Sequence, residues 1–174
     1  ALEGPNHFFI PRDEVPYKFE LGGVNHEACA GINALGPYLA FLAGAEGEPV
    51  DRAVVERAFT AMTNLELPLQ ERLVRGILDR PGFRIVGPPT WGPERVPTVS
   101  FVHDTISPAS IVAACREAGI GLRHGHMYAH RLCTAIGLEP ESGVVRASLV
   151  HYNTLEEVDR FLAVLDTLAG SGGS

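Results

Sequence analysis

The run "VVRASLVHYNT" (Val144 to Thr154) sets one permanent cation, Arg146, among apolar residues, with Val145, Ala147 and Leu149 alternating on one face of a short strand. An arginine is rarely buried without a partner, because its charge cannot be titrated away. Three partners fit Arg146: water, a structural carboxylate such as Glu156 or Glu157, or the carboxylate of a ligand, to which a planar guanidinium offers two parallel donors. A second stretch, "ELGGVNHE", is a glycine turn opening a helix. Free backbone N–H groups at such a helix start attract phosphate, so Gly22, Gly23 and Asn25 are candidates for an anion site. A plain turn with Asn25 as helix cap is the other reading.

"RHGHMYAH" brings His124, His126 and His130 together, with Cys133 nearby. All four are zinc ligand types. Strand geometry points His124 and His126 similarly, but the helix after Tyr128 does not bring His130 round to them, so no metal site is assigned. His126 is then a ligand contact or a histidine satisfied by its surroundings. Chemistry that needs an amine has a single side-chain candidate, Lys18, because every other one of the 14 basic residues is Arg.

The chain of 174 residues carries a net charge of −7 with its basic residues scattered, so nucleic acid is excluded as an expected partner. No apolar run approaches the roughly 20 residues of a membrane span, and "GINALGPYLAFLAGA" is short and contains Pro37. "ALEGPNHFF" resembles neither a signal nor a transit peptide. Cys29, Cys115 and Cys133 are odd in number and show no paired spacing, which points to a reducing, cytoplasmic setting. Cys29 and Cys115 are expected in a core.

The elements that must position these residues follow from periodicity and caps. Residues up to Gly23 are rich in Pro and Gly and predict extended segments and loops. Asn25 caps a helix of roughly Glu27 to Leu42, which Gly36-Pro37 interrupts. Asp51 caps a second, where Val54, Val55, Ala58, Phe59 and Met62 recur at helical spacing. Pro68 is expected to bend it before it resumes through Leu73, Ile77 and Leu78, and Arg80-Pro81-Gly82 stops it. "FRIVG" and "VPTVSFV" read as strands. Ser107-Pro108 opens a helix with Ile111, Val112, Cys115 and Ala118 on its apolar face. "IGLRHG" is a short strand and turn, "AHRLCTAIG" a short helix, and "GVVRASLV" a strand. Thr154 and Glu157 form a capping box for the last helix. The expected organisation is a leading part over 1–45, a connecting helical segment over 46–82, a compact α+β domain over 83–169 and a flexible tail over 170–174.

"KFELGGVNHEACAG", "GLRHGHMYAH" and "GVVRASLVHYNTLEEVDRFLAVL", in this order and at these separations, resemble the C-terminal half of the class V aminotransferases, which include cysteine desulfurases and selenocysteine lyases. The resemblance implies the small C-terminal α+β domain of a fold type I, pyridoxal 5'-phosphate-dependent transferase, preceded by the helical end of its large domain. It implies a homodimer acting on an α-amino acid. The family's Schiff-base lysine lies before the segment matching "FELGG", and Lys18 does not match it. The chain alone is therefore expected to be inactive.

By the same resemblance Arg146 binds the substrate's α-carboxylate, with Arg123 and His126 bordering the active site. Gly22, Gly23 and Asn25 lie near the cofactor phosphate. The family has a threonine at the position of Gly23. Tyr128 stands where the desulfurase branch has its nucleophilic cysteine, and Tyr cannot accept a persulfide sulfur. The alternative function is a catalytically inactive dimerisation or interaction domain derived from the same fold. Either way, Ile32, Leu35, Tyr38, Leu39 and Phe41 form an apolar helix face that must be covered, most simply by a second copy.

Overall fold

The computed structural model describes residues 8–20 and 22–171. They divide into two units, Ala1–Ala58 and Phe59–Ser174.

In the first unit a 3-10 turn, Tyr17–Phe19, precedes helix α1 (His26–Asn33) and helix α2 (Leu35–Leu42). The Asn25 side chain accepts the Ala28 N–H at 2.8 Å, so Asn25 is the expected cap. The helix breaks at Ala34, whose N–H closes α1 on the Ala30 and Gly31 carbonyls. Pro37 has no N–H to offer the Asn33 carbonyl, which weakens a continuous helix here. Burial is sparse: Ala40 and Ala45 pack with Val54. Cys29 is exposed on α1, against the expectation of a core position. No residue of α1 is buried, so this unit provides no interior for its thiol.

Helix α3 (Arg52–Leu78) starts in the first unit and continues into the second. The Asp51 carboxylate accepts the Val54 N–H at 2.9 Å. Pro68 lies inside α3, and the helix runs through it unbroken. The lost N–H is outweighed because Leu69, Leu73, Val74 and Ile77, just beyond it, are buried in the main core.

The second unit is α+β. Strands β1 (Phe83–Ile85), β2 (Thr98–His103), β3 (Arg123–Gly125) and β4 (Val144–Ser148) form one antiparallel sheet in the order β1-β2-β4-β3. Helices α4 (Pro108–Glu117), α5 (His130–Ala135) and α6 (Leu155–Ser171) complete it. Alternate strand residues (Phe83, Ile85, Val99, Phe101, Val145 and Ala147) pack with α3, with Ile111 and Cys115 of α4, and with Val158, Phe161, Leu162 and Leu165 of α6. Helices thus cover one face of the sheet. Gly76 of α3 lets Leu162 of α6 come so close that a Cβ there would overlap it. Arg72 and Arg80 of α3 reach Asp159 and Asp166 of α6, each at 2.6 Å. α6 begins with the expected capping box: Glu157 N–H donates to Thr154 Oγ1 at 3.2 Å, and Thr154 N–H donates back to Glu157 Oε2 at 3.0 Å.

One polar side chain is buried with this core. Gln70 is 1% exposed. Its Nε2 donates to the Arg95 carbonyl at 2.8 Å, and its Oε1 accepts the Gly92 N–H at 2.7 Å. The Arg95 guanidinium in turn donates to the carbonyls of Pro88, Thr90 and Thr98. Among the described residues, no helix is long and apolar enough to cross a membrane.

Candidate active site

Because β4 alternates, burying Val145 and Ala147 turns Arg146 to the face that the helices leave open. Its Cα partners are Ser100 on β2 and Arg123 on β3. Residues directly opposite in an antiparallel pair project to the same side, so two guanidinium groups share this face. Neither Arg146 nor Arg123 has a carboxylate within ion-pair distance among the described residues. The carboxylates named as structural partners are elsewhere. Glu157 accepts from Asn153 Nδ2 at 2.9 Å as well as from the Thr154 N–H. The Asn153 bond, then the Thr154 bond, hold its carboxyl below the usual range. No ion pair links Glu156 to Arg146.

Arg123 and Arg146 line an open cleft with His124, His126, Tyr128 and Glu141. Its rim is the turn from β3 into α5. Met127 and Tyr128 both have positive φ, 49° and 64°, in the left-handed region that costs L-residues on the order of 1–3 kcal/mol each. His126 holds the turn. Its Nδ1 accepts the Tyr128 N–H at 3.1 Å, and its carbonyl accepts the Ala129 N–H at 2.7 Å. The Tyr128 side chain is fully exposed as a result. Opposite the rim, a Cβ on Gly143 (φ 62°) would overlap the Gly125 backbone, so only glycine permits this approach of the two strands.

Of the other candidates in this unit, His130, Cys115 and Cys133 do not line the cleft. The His126 and His130 rings stand edge to face at 5.7 Å. Among the described residues no group of three or more His, Cys, Asp or Glu is placed to hold a metal ion. Cys133 is buried on α5. Cys115 is buried under α4, and burial pushes its thiol up to about 11. Gly22, Gly23 and Asn25 belong to the first unit, where they are exposed. Lys18 lies with its Nζ 4.9 Å from the centre of the Phe19 ring.

Two features of the cleft are absent from the sequence reading. Glu141 lies in a turn and carries no local pattern. The pairing of Arg123 with Arg146 depends on register between segments far apart in the chain. Alternation along "GLRHG" and "VVRAS" supplies a signal for a shared face, but not for direct opposition.

An antiparallel sheet with helices on one face, and on the other two arginines outside every ion pair of the described residues, defines a small α+β domain with a cationic open cleft. The sequence profile of aminotransferase class V matches residues 12–161. The chain is 34% identical over 167 residues to the aminotransferase-like protein FGM3 of Gibberella zeae, covering 95% of this chain and 39% of that one. It is 33% identical over 151 residues to a probable cysteine desulfurase of Pseudomonas putida, covering 87% of this chain and 32% of that one. Among solved structures, the apo cysteine desulfurase of Thermococcus onnurineus NA1 superposes with a TM-score of 0.72 at 26% identity, covering 97% of this chain and 38% of that one. The chain belongs to the aminotransferase class V family. It spans 39% and 32% of the lengths of the two curated relatives.

Pyridoxal phosphate, the cofactor implied by the resemblance, would find donors for its phosphate end in the backbone around Gly22, Gly23 and Asn25. A Cβ on Gly22 or Gly23 would meet nothing within 4 Å, so the backbone there is approachable. The first-turn amides of α1 have no acceptor within the helix, and Asn25 occupies only that of Ala28. Gly23 has no hydroxyl to offer, so the donors to a phosphate would be the backbone amides around it or Asn25.

Proposed function

We propose that this chain is the substrate-binding end of a pyridoxal phosphate enzyme that acts on an α-amino acid as a homodimer in the cytoplasm. When bound, the cofactor withdraws electrons from the amino acid's α-carbon. This chain's residues bind and orient. Arg146 pairs bidentately with the α-carboxylate. Arg123 and His126 border the substrate, and Gly22, Gly23 and Asn25 hold the cofactor phosphate at the start of α1. Sulfur relay through position 128 does not belong to the proposal, because a phenol oxygen cannot carry a persulfide and Cys133 is buried.

One observation carries the reading: Arg146 stands on the open face of β4 with no carboxylate partner among the described residues. The test is Arg146→Lys in the cofactor-loaded enzyme. Lysine keeps the charge and loses the paired donors, so kcat/KM for the amino acid should fall by about 10- to 150-fold. Cofactor affinity and melting temperature should hardly move. A lower melting temperature with unchanged kinetics would sink the assignment.

A second reading, a dimerisation domain without activity, draws on the exposed Ile32, Leu35 and Phe41 of α1 and α2. It predicts that no amino acid perturbs the spectrum of the bound cofactor.

A further inference from the structure

We infer that Arg123 and Arg146 form a two-cation clamp, and that the amino acid this site takes carries a second anionic group on its side chain. The inference rests on the α-carboxylate reading of Arg146 and extends it.

Arg123 and Arg146 are direct Cα partners on β3 and β4. Side chains so placed start from Cβ atoms about 4.5–5.5 Å apart, and like charges there repel. The usual relief is an interleaved carboxylate. This chain has 21 acidic residues against 14 basic ones. Even so, no described acidic group forms an ion pair with either guanidinium. Arg84, on the same face of the edge strand β1, is likewise outside every ion pair of the described residues. The open face of the sheet is therefore cationic in a protein of net charge −7.

Glu141 is the one carboxylate lining the cleft, and it does not reach ion-pair distance of either arginine. One α-carboxylate satisfies one guanidinium bidentately. The other guanidinium keeps its donors for a second anion held a few ångströms away, which matches a short acidic side chain. Both sites are open to the same cleft, so a single ligand spans them. A carboxylate and a phosphate monoester share the needed geometry, and the substrates compared below tell them apart.

The experiment compares L-aspartate, L-glutamate and O-phospho-L-serine with L-alanine and L-2-aminobutyrate as substrates of the cofactor-loaded enzyme. In parallel, calorimetry measures binding of succinate against propionate. The wild type should favour at least one anionic side chain by tenfold or more. It should also bind succinate more tightly than propionate. Arg123→Gln should lower kcat/KM for that substrate by about 10- to 100-fold, at least tenfold more than it lowers kcat/KM for alanine, and erase the preference for succinate. Arg123→Lys keeps the charge and should give an intermediate loss, which preserves the test if the glutamine variant fails to fold. Equal losses on anionic and neutral substrates, or no anionic preference in the wild type, would overturn the clamp. Failure of the underlying reading looks different: Arg146→Gln would then leave every amino acid, alanine included, unaffected.

Discussion

The two units of this chain bury their apolar residues in opposite ways. In the Phe59–Ser174 unit the sheet and three helices close over an interior in which Val99, Phe101, Ile77, Val145 and Leu165 are fully buried. In the Ala1–Ala58 unit Ile32, Leu35 and Phe41 are more than half exposed, and the buried cluster consists of Ala40, Ala45 and Val54. Area removed from water is the main favourable term in folding, so the first arrangement can supply its own stability and the second has little to draw on. The face of α1 and α2 left open is the one whose spacing called for a cover. The sheet face left open carries Arg84, Arg123 and Arg146. An open apolar face and an open charged face ask for different occupants.

The largest effect is expected inside the sheet. Phe101→Ala removes a fully buried ring packed between Phe83 and Phe161. It should cost about 3–5 kcal/mol in chemical denaturation. Amide exchange in α1 should be unchanged if the units draw on separate interiors. A smaller loss is expected from Gly143→Ala, where a methyl group meets the Gly125 backbone at a residue with φ 62°. Strain of about 1–3 kcal/mol should appear, and the cleft residues His124 and His126 should shift in NMR spectra even where the core does not.

Smaller again is the effect of pH on the α6 cap. The Glu157 carboxyl is held below its ordinary value of 4.5, first by the Asn153 hydrogen bond and then by the Thr154 N–H. A depressed carboxyl contributes its stability above the unfolded value and loses it as pH falls through the folded one. The melting-temperature gap between wild type and Glu157→Gln should therefore be constant above about pH 5.5 and close progressively below 4.5. A gap that widens on acidification would refute this assignment. The smallest stability effect is expected in the first unit: Ile32→Ser with Phe41→Ser should change unfolding free energy by no more than about 0.5 kcal/mol. Self-association measured by ultracentrifugation should nevertheless weaken, because that face is what a second copy would cover.

Local rules made much of this architecture legible. Asn25, Asp51, Ser107 and Thr154 all cap helices, because a cap is decided within three residues. Alternation identified Val145 and Ala147 as interior and left Arg146 on the other side. Contacts between distant segments were not legible. Pro68 suggested a bend, but the apolar run beyond it is fixed in a core that local sequence does not display. Cys29 looked like core because thiols usually are, whereas α1 has no interior to offer it. At the cleft, the residue types pointed to an anion site, while the direct opposition of Arg123 and Arg146 came from strand register alone.

The amide of Gln70 has a consequence for how this protein tolerates change. It holds Gly92 and Arg95, which lie 22 and 25 residues further along the chain, by their backbone groups. Gln70 thus holds the segment from Gly92 to Arg95 through atoms that every amino acid except proline possesses in full. Many side-chain replacements at Pro93 or Glu94 leave both bonds intact. A leucine at position 70 has nearly the right bulk, yet it would strand one donor and one acceptor at once. One residue that fixes this loop therefore lies outside it, on the helix beneath it.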